Sequence, residues 1–149
     1  METVHGTCLI VDHAGLLLRG PSGSGKSDLA LRLVHDGRGR LVADDRVVLE
    51  PDGMGCLWAL PPATLAGMIE VRGIGIVDLD HEPRARLHGI VDLVARDAVT
   101  RLPDPEVDSL MGITLPRFAL HAFDASAPAR IALIAREAHS RAGDQVHAG

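Results

Sequence analysis

The residues best suited to carry chemistry form a glycine-rich run near the N-terminus. This run, Gly20-Pro21-Ser22-Gly23-Ser24-Gly25-Lys26-Ser27, matches the phosphate-binding pattern G-x-x-x-x-G-K-[ST]. Its glycines let the backbone curl so that successive N–H groups face anionic oxygens. The Lys26 amine can reach the outer phosphates, and the Ser27 hydroxyl can ligate Mg²⁺. The run therefore predicts a binding site for a nucleotide polyphosphate with Mg²⁺.

Two adjacent acids follow the apolar residues Leu41-Val42-Ala43, at the end of a predicted strand. Beside a phosphate-binding loop, one carboxylate can help to hold Mg²⁺ and another can accept a proton from the attacking hydroxyl. Neighbouring side chains on an extended chain point to opposite faces, so we expect Asp44 and Asp45 to divide these tasks. A solvated turn between two strands is the alternative interpretation of the pair.

Glu70 and Arg72 form a second candidate pair. They are separated by one residue and so share one side of an extended segment, which would suit a loop around a metal or a phosphoryl group. The same spacing also fits an ordinary surface salt bridge.

His5 stands at the entry to the first predicted strand and would not be singled out by itself. Since the other histidines lack metal-ligand spacing, we expect no metal site built from protein side chains alone.

The elements that must position these residues can be read from local patterns. A short buried strand, Gly15–Arg19, enters the glycine-rich loop, and apolar residues at helical spacing follow it as far as Gly37, a favourable helix end. Thr7–Val11 and Leu16–Leu18 flank residues 12–15, which indicates a hairpin before the loop.

Further strands and a final helix are predicted along the rest of the chain. The strands are Arg40–Ala43, Val47–Glu50, Cys56–Leu60 and Ile90–Val94, and the helix is Ala127–Arg141. Residues 61–78 are expected to be largely irregular, and residues 101–108, rich in proline and aspartate, are expected to form a loop.

Composition limits the classes of function. The 149 residues predict one domain, 1–149, and 46% hydrophobic residues exclude general disorder. A net charge of −5 and only 2% aromatic residues argue against nucleic-acid binding. The sequence shows no signal peptide and no membrane-spanning segment, which predicts a cytoplasmic protein. Cys8 and Cys56 do not form a disulfide framework, and Cys8 is expected to be a small core residue.

Taken together, four segments resemble one family, the bacterial HPr kinase/phosphorylases, in their C-terminal catalytic domain. The matching segments are His5-Gly6, residues 20–27, Val42–Val47 and Glu70–Asp78. The resemblance implies an α/β P-loop domain with a mixed β-sheet, related to bacterial phosphoenolpyruvate carboxykinase. It also implies an ATP- and Mg²⁺-dependent kinase that phosphorylates a serine of HPr, a phosphocarrier of the phosphotransferase system. The reverse reaction, in which phosphate attacks the phosphoserine and pyrophosphate is released, and a hexameric assembly are implied as well.

The resemblance assigns roles by position to the residues of the predicted site. Lys26 would contact the β-phosphate region, and Ser27 and Glu70 would ligate Mg²⁺. Asp45, with Asp44 beside it, would be the acid/base that takes the proton from the target serine and returns it in phosphorolysis.

Three further residues gain a role only through the resemblance. His5 matches the family's active-site histidine, Arg72 would neutralise charge on the transferring phosphoryl group, and Arg101 aligns with a further family arginine. The chain departs from the family in two respects. It begins almost at the His-Gly pair, without the N-terminal domain that many members carry, and Ala125–Arg130 replaces a G-R-N-like element before the last helix. The second departure puts the reverse reaction in question.

Two other functions are compatible with the sequence. A small-molecule kinase would need a mobile arginine-rich lid, for which residues 84–86 are the candidate. A nucleotide-responsive regulatory module would need the P-loop but no proton acceptor, so Asp45 discriminates it from both kinases.

Overall fold

A computed structural model describes the backbone of residues 1–148 and the side chains of residues 1–142. The strands in this part of the chain are β1 (Glu2–His5), β2 (Thr7–Val11), β3 (Ala14–Arg19), β4 (Gly39–Ala43), β5 (Arg46–Pro51), β6 (Leu57–Leu60), β7 (Met68–Val71), β8 (Gly75–Asp78), β9 (Ala85–Leu93), β10 (Glu106–Leu110) and β11 (Ile113–Leu120). The helices are α1 (Lys26–His35) and α2 (Ala127–Ala148), with short 3-10 turns at Ala63–Leu65 and Arg96–Ala98.

A mixed β-sheet forms the centre of the molecule, as predicted. One half, the P-loop sheet, has the order β10-β11-β9-β3-β2-β4, with β3, β9 and β11 parallel. The other half, the second sheet, has the order β1-β5-β6 and joins the first through Ala85 and Arg86 of β9. The chain therefore crosses between the two halves at Gly6, between β1 and β2, and again at Asp44-Asp45, between β4 and β5.

The core lies on both faces of the P-loop sheet. Leu16 and Leu18 of β3 pack on one face with apolar residues of α1 and α2. Leu17, between them, packs on the opposite face with residues of β5 and β6. This alternation follows from the two-residue period of a strand and explains why β3 is apolar at successive positions. The strand that leads into the glycine-rich loop is thus buried on both sides.

The elements around the loop agree with the sequence. Asp12 and His13 form a two-residue turn with φ angles of 46° and 68°, a turn twisted like the strands that it joins. Strand β3 therefore starts at Ala14, earlier than predicted. Helix α1 ends at His35, and Gly37 follows two residues later with a φ of 75° and an N–H that donates to the Val34 carbonyl. This is the glycine-terminated helix end that the sequence indicates. Cys8 is fully buried, and burial raises the pKa of its thiol to about 12.

Several elements differ from the expectations. Residues 61–78 contain the hairpin β7–β8, and residues 106–108, expected to lie in a loop, belong to β10. Strands β1 and β11 were not predicted, and β9 starts at Ala85 rather than Ile90. The edge strand β10 is mostly polar or exposed and is ordered by hydrogen bonds to β11, a partner that local sequence does not specify. No helix in the described part of the chain has the length and apolar character needed to cross a membrane.

Candidate active site

A cleft of about 670 Å³ lies over the glycine-rich loop and the start of α1. It brings together most of the residues that the sequence singled out: His5, Ser22, Gly23, Gly25, Lys26, Ser27, Asp44, Asp45, Glu70 and Arg72. Helix α1 begins at Lys26, so its N–H groups and the positive end of its dipole lie at the cleft. The geometry is that of an anion-binding site.

Lys26 is held by the loop itself. Its Nζ atom donates to the carbonyl oxygens of Gly20 and Pro21, at 2.6 and 3.1 Å. Burial lowers the pKa of the ammonium group, and the negative charges of Asp44 and Asp45 partly oppose this shift. A hydrogen bond of 3.0 Å from the Ser24 N–H to the Pro21 carbonyl closes the loop. The lysine ammonium group is thereby fixed against the backbone of the loop.

Gly25 is required by both conformation and space. Its φ of 97° lies in the left-handed region, where a side chain is disfavoured. A Cβ atom here would lie 2.7 Å from Cβ of Ala122 and 3.0 Å from the Phe123 ring. Arg32 of α1 donates to the Ala122 carbonyl and ties this neighbouring segment to the helix. The phosphate-binding loop is therefore packed closely against the segment that precedes α2.

Asp44 is directed toward the start of α1. The Ser27 hydroxyl donates to the two carboxylate oxygens of Asp44, at 2.8 Å from Oδ1 and 3.0 Å from Oδ2. Thr7 Oγ1 donates to Oδ1 at 2.8 Å. Asp44 is buried, and these two hydroxyl groups solvate its carboxylate in place of water.

Asp45 points in a different direction and reaches solvent. It has a φ of 68°, and the Arg46 N–H donates to the Asp44 carbonyl at 2.8 Å, which makes a tight turn at Asp45. Its Oδ1 lies 3.3 Å from His5 Nε2, and its side chain is 65% exposed. The two acids are thus separated, with one beside Ser27 and the other open to the cleft. The left-handed backbone of Asp45 separates them, rather than the side-chain alternation of an extended chain that the sequence analysis assumed.

The hairpin β7–β8 contributes the remaining polar residues of the cleft. Glu70 lies on β7, opposite Ile76 of β8, and Arg72 lies in the turn that joins the two strands. Both line the cleft, although Arg72 is not part of the extended segment that the sequence analysis assumed.

Four predicted residues do not line the cleft: Gly20, Pro21 and Ser24, which belong to the glycine-rich loop, and Arg101, which lies elsewhere. Arg101 is exposed in the segment between the 3-10 turn Arg96–Ala98 and β10, and it is not among the residues that line the cleft. Its role stays a prediction from the resemblance alone. The segment that contains it is largely exposed, and its residues pack on neither core cluster.

Other residues of the cleft were missed by the sequence analysis. They are Thr7, Asp28, Leu65, Met68, Ile69, Ile76 and Phe123. Thr7 left a signal, because a polar residue at the head of the apolar run 7–11 must find a hydrogen-bond partner when it is buried. Met68, Ile76 and Phe123 carried no such signal, since an exposed apolar side chain is common on protein surfaces. Ile69 is buried and cannot be distinguished by its type from other core residues.

The side chains present fit a magnesium–nucleotide complex. The hydroxyl of Ser27 and the carboxylates of Asp44 and Glu70 are oxygen donors, the type that Mg²⁺ prefers, and Mg²⁺ is commonly held by one or two carboxylates plus phosphate oxygens. The Ser24 hydroxyl is buried and has no hydrogen-bond partner among the described residues, and Ser24 does not line the cleft.

Comparisons with known proteins agree with this geometry. The sequence model of the HPr serine kinase C-terminal domain matches residues 1–100, which include all of the cleft except Phe123. The chain belongs to the HPr serine kinase C-terminal domain family. The HPr kinase/phosphorylase of Bordetella pertussis is 38% identical to it, over 79% of this chain and 42% of that protein. The HPr kinase/phosphorylase of Streptococcus thermophilus is 46% identical, over 52% of this chain and 25% of that protein.

A solved structure extends the similarity to nearly the whole domain. The HPr(Ser) kinase/phosphatase from Coxiella burnetii superposes with a TM-score of 0.84 and 25% identity, and the match covers 96% of this chain and 99% of that one. The family fold is therefore present through α2. The chain spans less than half the length of the curated relatives it matches.

Proposed function

We propose that this domain transfers the terminal phosphoryl group of ATP to a serine hydroxyl of an HPr-type phosphocarrier, with Mg²⁺. The observation that carries the proposal is the separation of the two acids beside the P-loop. Asp44 is buried against Ser27, where a metal-binding carboxylate is needed, and Asp45 is open to the cleft beside His5. A protein that only binds nucleotide needs no acid in the second position.

The proposed metal site comprises Ser27, Asp44 and Glu70. When bound there, Mg²⁺ would neutralise charge on the phosphates and on the leaving group. Lys26 and the N–H groups at the start of α1 would bind the phosphates, and Arg72 would neutralise charge on the transferring group. These residues act by positioning and charge, which is the main part of catalysis in phosphoryl transfer.

Asp45 would move the proton. In the kinase direction, its carboxylate would accept the proton of the serine hydroxyl while the serine oxygen bonds to the γ-phosphorus of ATP. The bond from that phosphorus to the β–γ bridging oxygen breaks, and ADP leaves. His5, at 3.3 Å, holds the Asp45 carboxylate on the cleft side. In the reverse direction, an oxygen of inorganic phosphate would bond to the phosphorus of the phosphoserine, and the bond from that phosphorus to the serine oxygen would break. Asp45 would return the proton to the serine oxygen, and the products would be the free serine hydroxyl and pyrophosphate.

The surroundings of the cleft favour a protein over a small molecule as the phosphate acceptor. Met68, Ile76 and Phe123 line the cleft with exposed side chains, and the exposed Ile74 lies in the adjacent turn. A protein surface would cover these apolar groups. A small-molecule kinase would instead need to enclose its substrate, and the candidate lid residue Arg84 lies over the ring of Trp58.

The test is to incubate the domain with Mg²⁺, ATP and an HPr-type phosphocarrier and to locate phosphate by mass spectrometry. We expect phosphoserine on the carrier with the wild-type domain and none with Asp45→Asn. Turnover of a small molecule without phosphoserine would favour a small-molecule kinase. Nucleotide binding without any transfer would favour a regulatory module. Adding excess phosphate to the phosphorylated carrier and measuring pyrophosphate tests the reverse reaction.

The assembly and environment of the domain belong to the same proposal. By resemblance to the family we propose a homo-oligomer, a hexamer, that works in the cytoplasm with a protein partner rather than with nucleic acid or a membrane. Light scattering coupled to size-exclusion chromatography would measure the mass, and a monomer at working concentration would contradict the assembly.

A further inference from the structure

Thr7 is a buried polar residue that the proposed mechanism does not use. It is the first residue of β2, pairs with Leu18 of β3, and has no exposed surface. Its hydroxyl donates to Asp44 Oδ1 at 2.8 Å, across 37 residues of sequence. Valine has nearly the same shape as threonine and would fill this position without a hydroxyl, so the buried hydroxyl of Thr7 needs a hydrogen-bonding role.

The role of the Thr7 hydroxyl follows from the way in which Thr7 and Ser27 donate to the two oxygens of the Asp44 carboxylate. Ser27 reaches both oxygens, at 2.8 and 3.0 Å, so this contact alone leaves the carboxylate free to turn about its axis. Thr7 donates only to Oδ1. With Oδ1 held by two donors, Oδ2 is the oxygen with spare acceptor capacity.

Neighbouring backbone contacts hold Thr7 itself in place. Gly6 donates its N–H to the Asp45 carbonyl at 3.1 Å, so the chain just before Thr7 is tied to the chain just after Asp44. A Cβ atom at Gly6 would lie 2.9 Å from the Leu18 carbonyl oxygen, which shows how closely this segment approaches β3. The backbone around Thr7 is therefore held in place by the Gly6–Asp45 hydrogen bond and by close packing on β3, and it positions the Thr7 hydroxyl beside Asp44.

We propose that Thr7 is a positioning residue, which orients the Asp44 carboxylate so that Oδ2 is available to the cation of the metal–nucleotide complex. The inference rests on the proposed function, because it takes Asp44 as part of the metal site. Groups that orient a metal ligand from outside its contact sphere typically change metal affinity by about 10- to 100-fold when they are removed.

The experiment compares Thr7→Val, which keeps the shape and removes the hydroxyl, with Thr7→Ser, which keeps the hydroxyl. Thr114→Val is the matched control, since Thr114 is exposed and bonds to Ser109 outside the cleft. Mn²⁺ serves as the probe, and its affinity is measured by electron paramagnetic resonance with a non-hydrolysable ATP analogue present. The affinity of the analogue is measured separately in excess chelator, and thermal unfolding reports folding.

We expect Thr7→Val to weaken Mn²⁺ binding by about 10-fold or more and to leave metal-free analogue binding within about 2-fold of wild type. Thr7→Ser should restore most of the Mn²⁺ affinity, and Thr114→Val should match wild type. Wild-type Mn²⁺ affinity in Thr7→Val would overturn the inference. So would an equal loss of metal-free binding, or a Thr7→Ser variant as weak as Thr7→Val.

Two features keep this test decisive. If Thr7→Val does not fold, Thr7→Ala replaces it under the same criteria, and both are compared with Thr7→Ser. The binding measurements need no phosphate acceptor, so they separate the inference from the proposed function. A domain that never phosphorylates a carrier can still show the Thr7 effect, and an active kinase can fail to show it.

Discussion

His5 Nε2 lies 3.3 Å from Asp45 Oδ1, at the point where the chain crosses between the two halves of the sheet. Both side chains are more than half exposed, so the contact is open to solvent and to a substrate. The left-handed backbone of Asp45, with φ of 68°, is what turns its carboxylate away from that of Asp44. The contact and the backbone together define the position of the proposed proton acceptor.

Asp45→Asn should abolish transfer and retain binding. Asparagine keeps the size and tolerates positive φ, but it cannot accept the proton of a serine hydroxyl. We expect phosphoryl transfer to fall by about 10²-fold or more, with nucleotide affinity within about 2-fold of wild type because the P-loop is unchanged. Initial rates and isothermal titration calorimetry measure the two quantities. Asp97→Asn, at an exposed acid away from the cleft, is the control, and a transfer rate near wild type in Asp45→Asn would remove this role.

Gly25→Ala should lower both the stability of the fold and the affinity for ATP more than Gly23→Ala does. Both glycines have left-handed φ angles, 97° and 84°, but a Cβ atom meets Ala122 and Phe123 at Gly25 and meets nothing within 4 Å at Gly23. Both variants therefore bear the conformational cost, about 1 kcal/mol, and only Gly25→Ala bears the steric one, about 1–3 kcal/mol. Urea unfolding and ATP titration should rank them in this order. Equal losses would show that backbone conformation alone accounts for the pattern.

Asp92→Asn should destabilise the fold. Asp92 accepts from Arg19 Nε at 2.8 Å and from Arg117 Nε at 2.6 Å, and its side chain is 18% exposed. Burial raises the pKa of this carboxyl, but the hydrogen bonds and charges of the two arginines outweigh burial and hold the pKa below its usual value.

We expect Asp92→Asn to lower the free energy of unfolding at pH 7 by about 2 kcal/mol, because two part-buried guanidinium groups lose their shared partner. Glu137→Gln, in the exposed pair with Arg141 on α2, is the control and should change little. Urea denaturation measures the free energy of unfolding of both variants. Similar small effects in the two would show that the contacts of Asp92 with Arg19 and Arg117 contribute little to stability.

His88 should make stability fall in mild acid. It is buried, its Nδ1 accepts from the Gly15 N–H at 3.1 Å, and its ring lies 5.1 Å from that of His139. Burial, with the nearby charges of Arg86 and His139, lowers the pKa of His88 to about 4 from 6.5. The unfolded chain therefore binds the proton more readily, and stability contributed by neutral His88 is present above pH 6.5 and is lost as the pH falls toward 4.

The lowering of the pKa from 6.5 to about 4 corresponds to a loss of about 3 kcal/mol. Protonation of Nδ1 also removes the acceptor for the Gly15 N–H. Asparagine can keep an acceptor near this position but does not titrate. We expect His88→Asn to flatten the pH dependence of the free energy of unfolding between pH 4 and 6.5, measured by urea denaturation in a buffer series. An equally steep pH dependence in His88→Asn would show that other groups cause the loss of stability in mild acid.

The sequence was most informative where structure is decided locally. The P-loop, the hairpin before it and the glycine at the end of α1 depend on residues within a few positions of one another. The divergence of Asp44 and Asp45, by contrast, arises from the left-handed backbone of Asp45, which the sequence did not indicate. The contact between Thr7 and Asp44 joins residues 37 positions apart, and strand β10 exists because β11 pairs with it. Such features depend on the tertiary arrangement, which local patterns do not encode.

The two crossings between the sheet halves make the cleft sensitive to how those halves are packed. His5 is the last residue of β1 and Asp45 directly precedes β5, whereas Thr7 is the first residue of β2 and Asp44 directly follows β4. A slight rotation of one half against the other would alter the spacing between the proposed proton acceptor, Asp45, and the proposed metal-binding carboxylate, Asp44. The apolar layer between the halves, around Leu17, would therefore set the distance between the two proposed catalytic groups. Selection on that layer would then act on turnover as well as on stability.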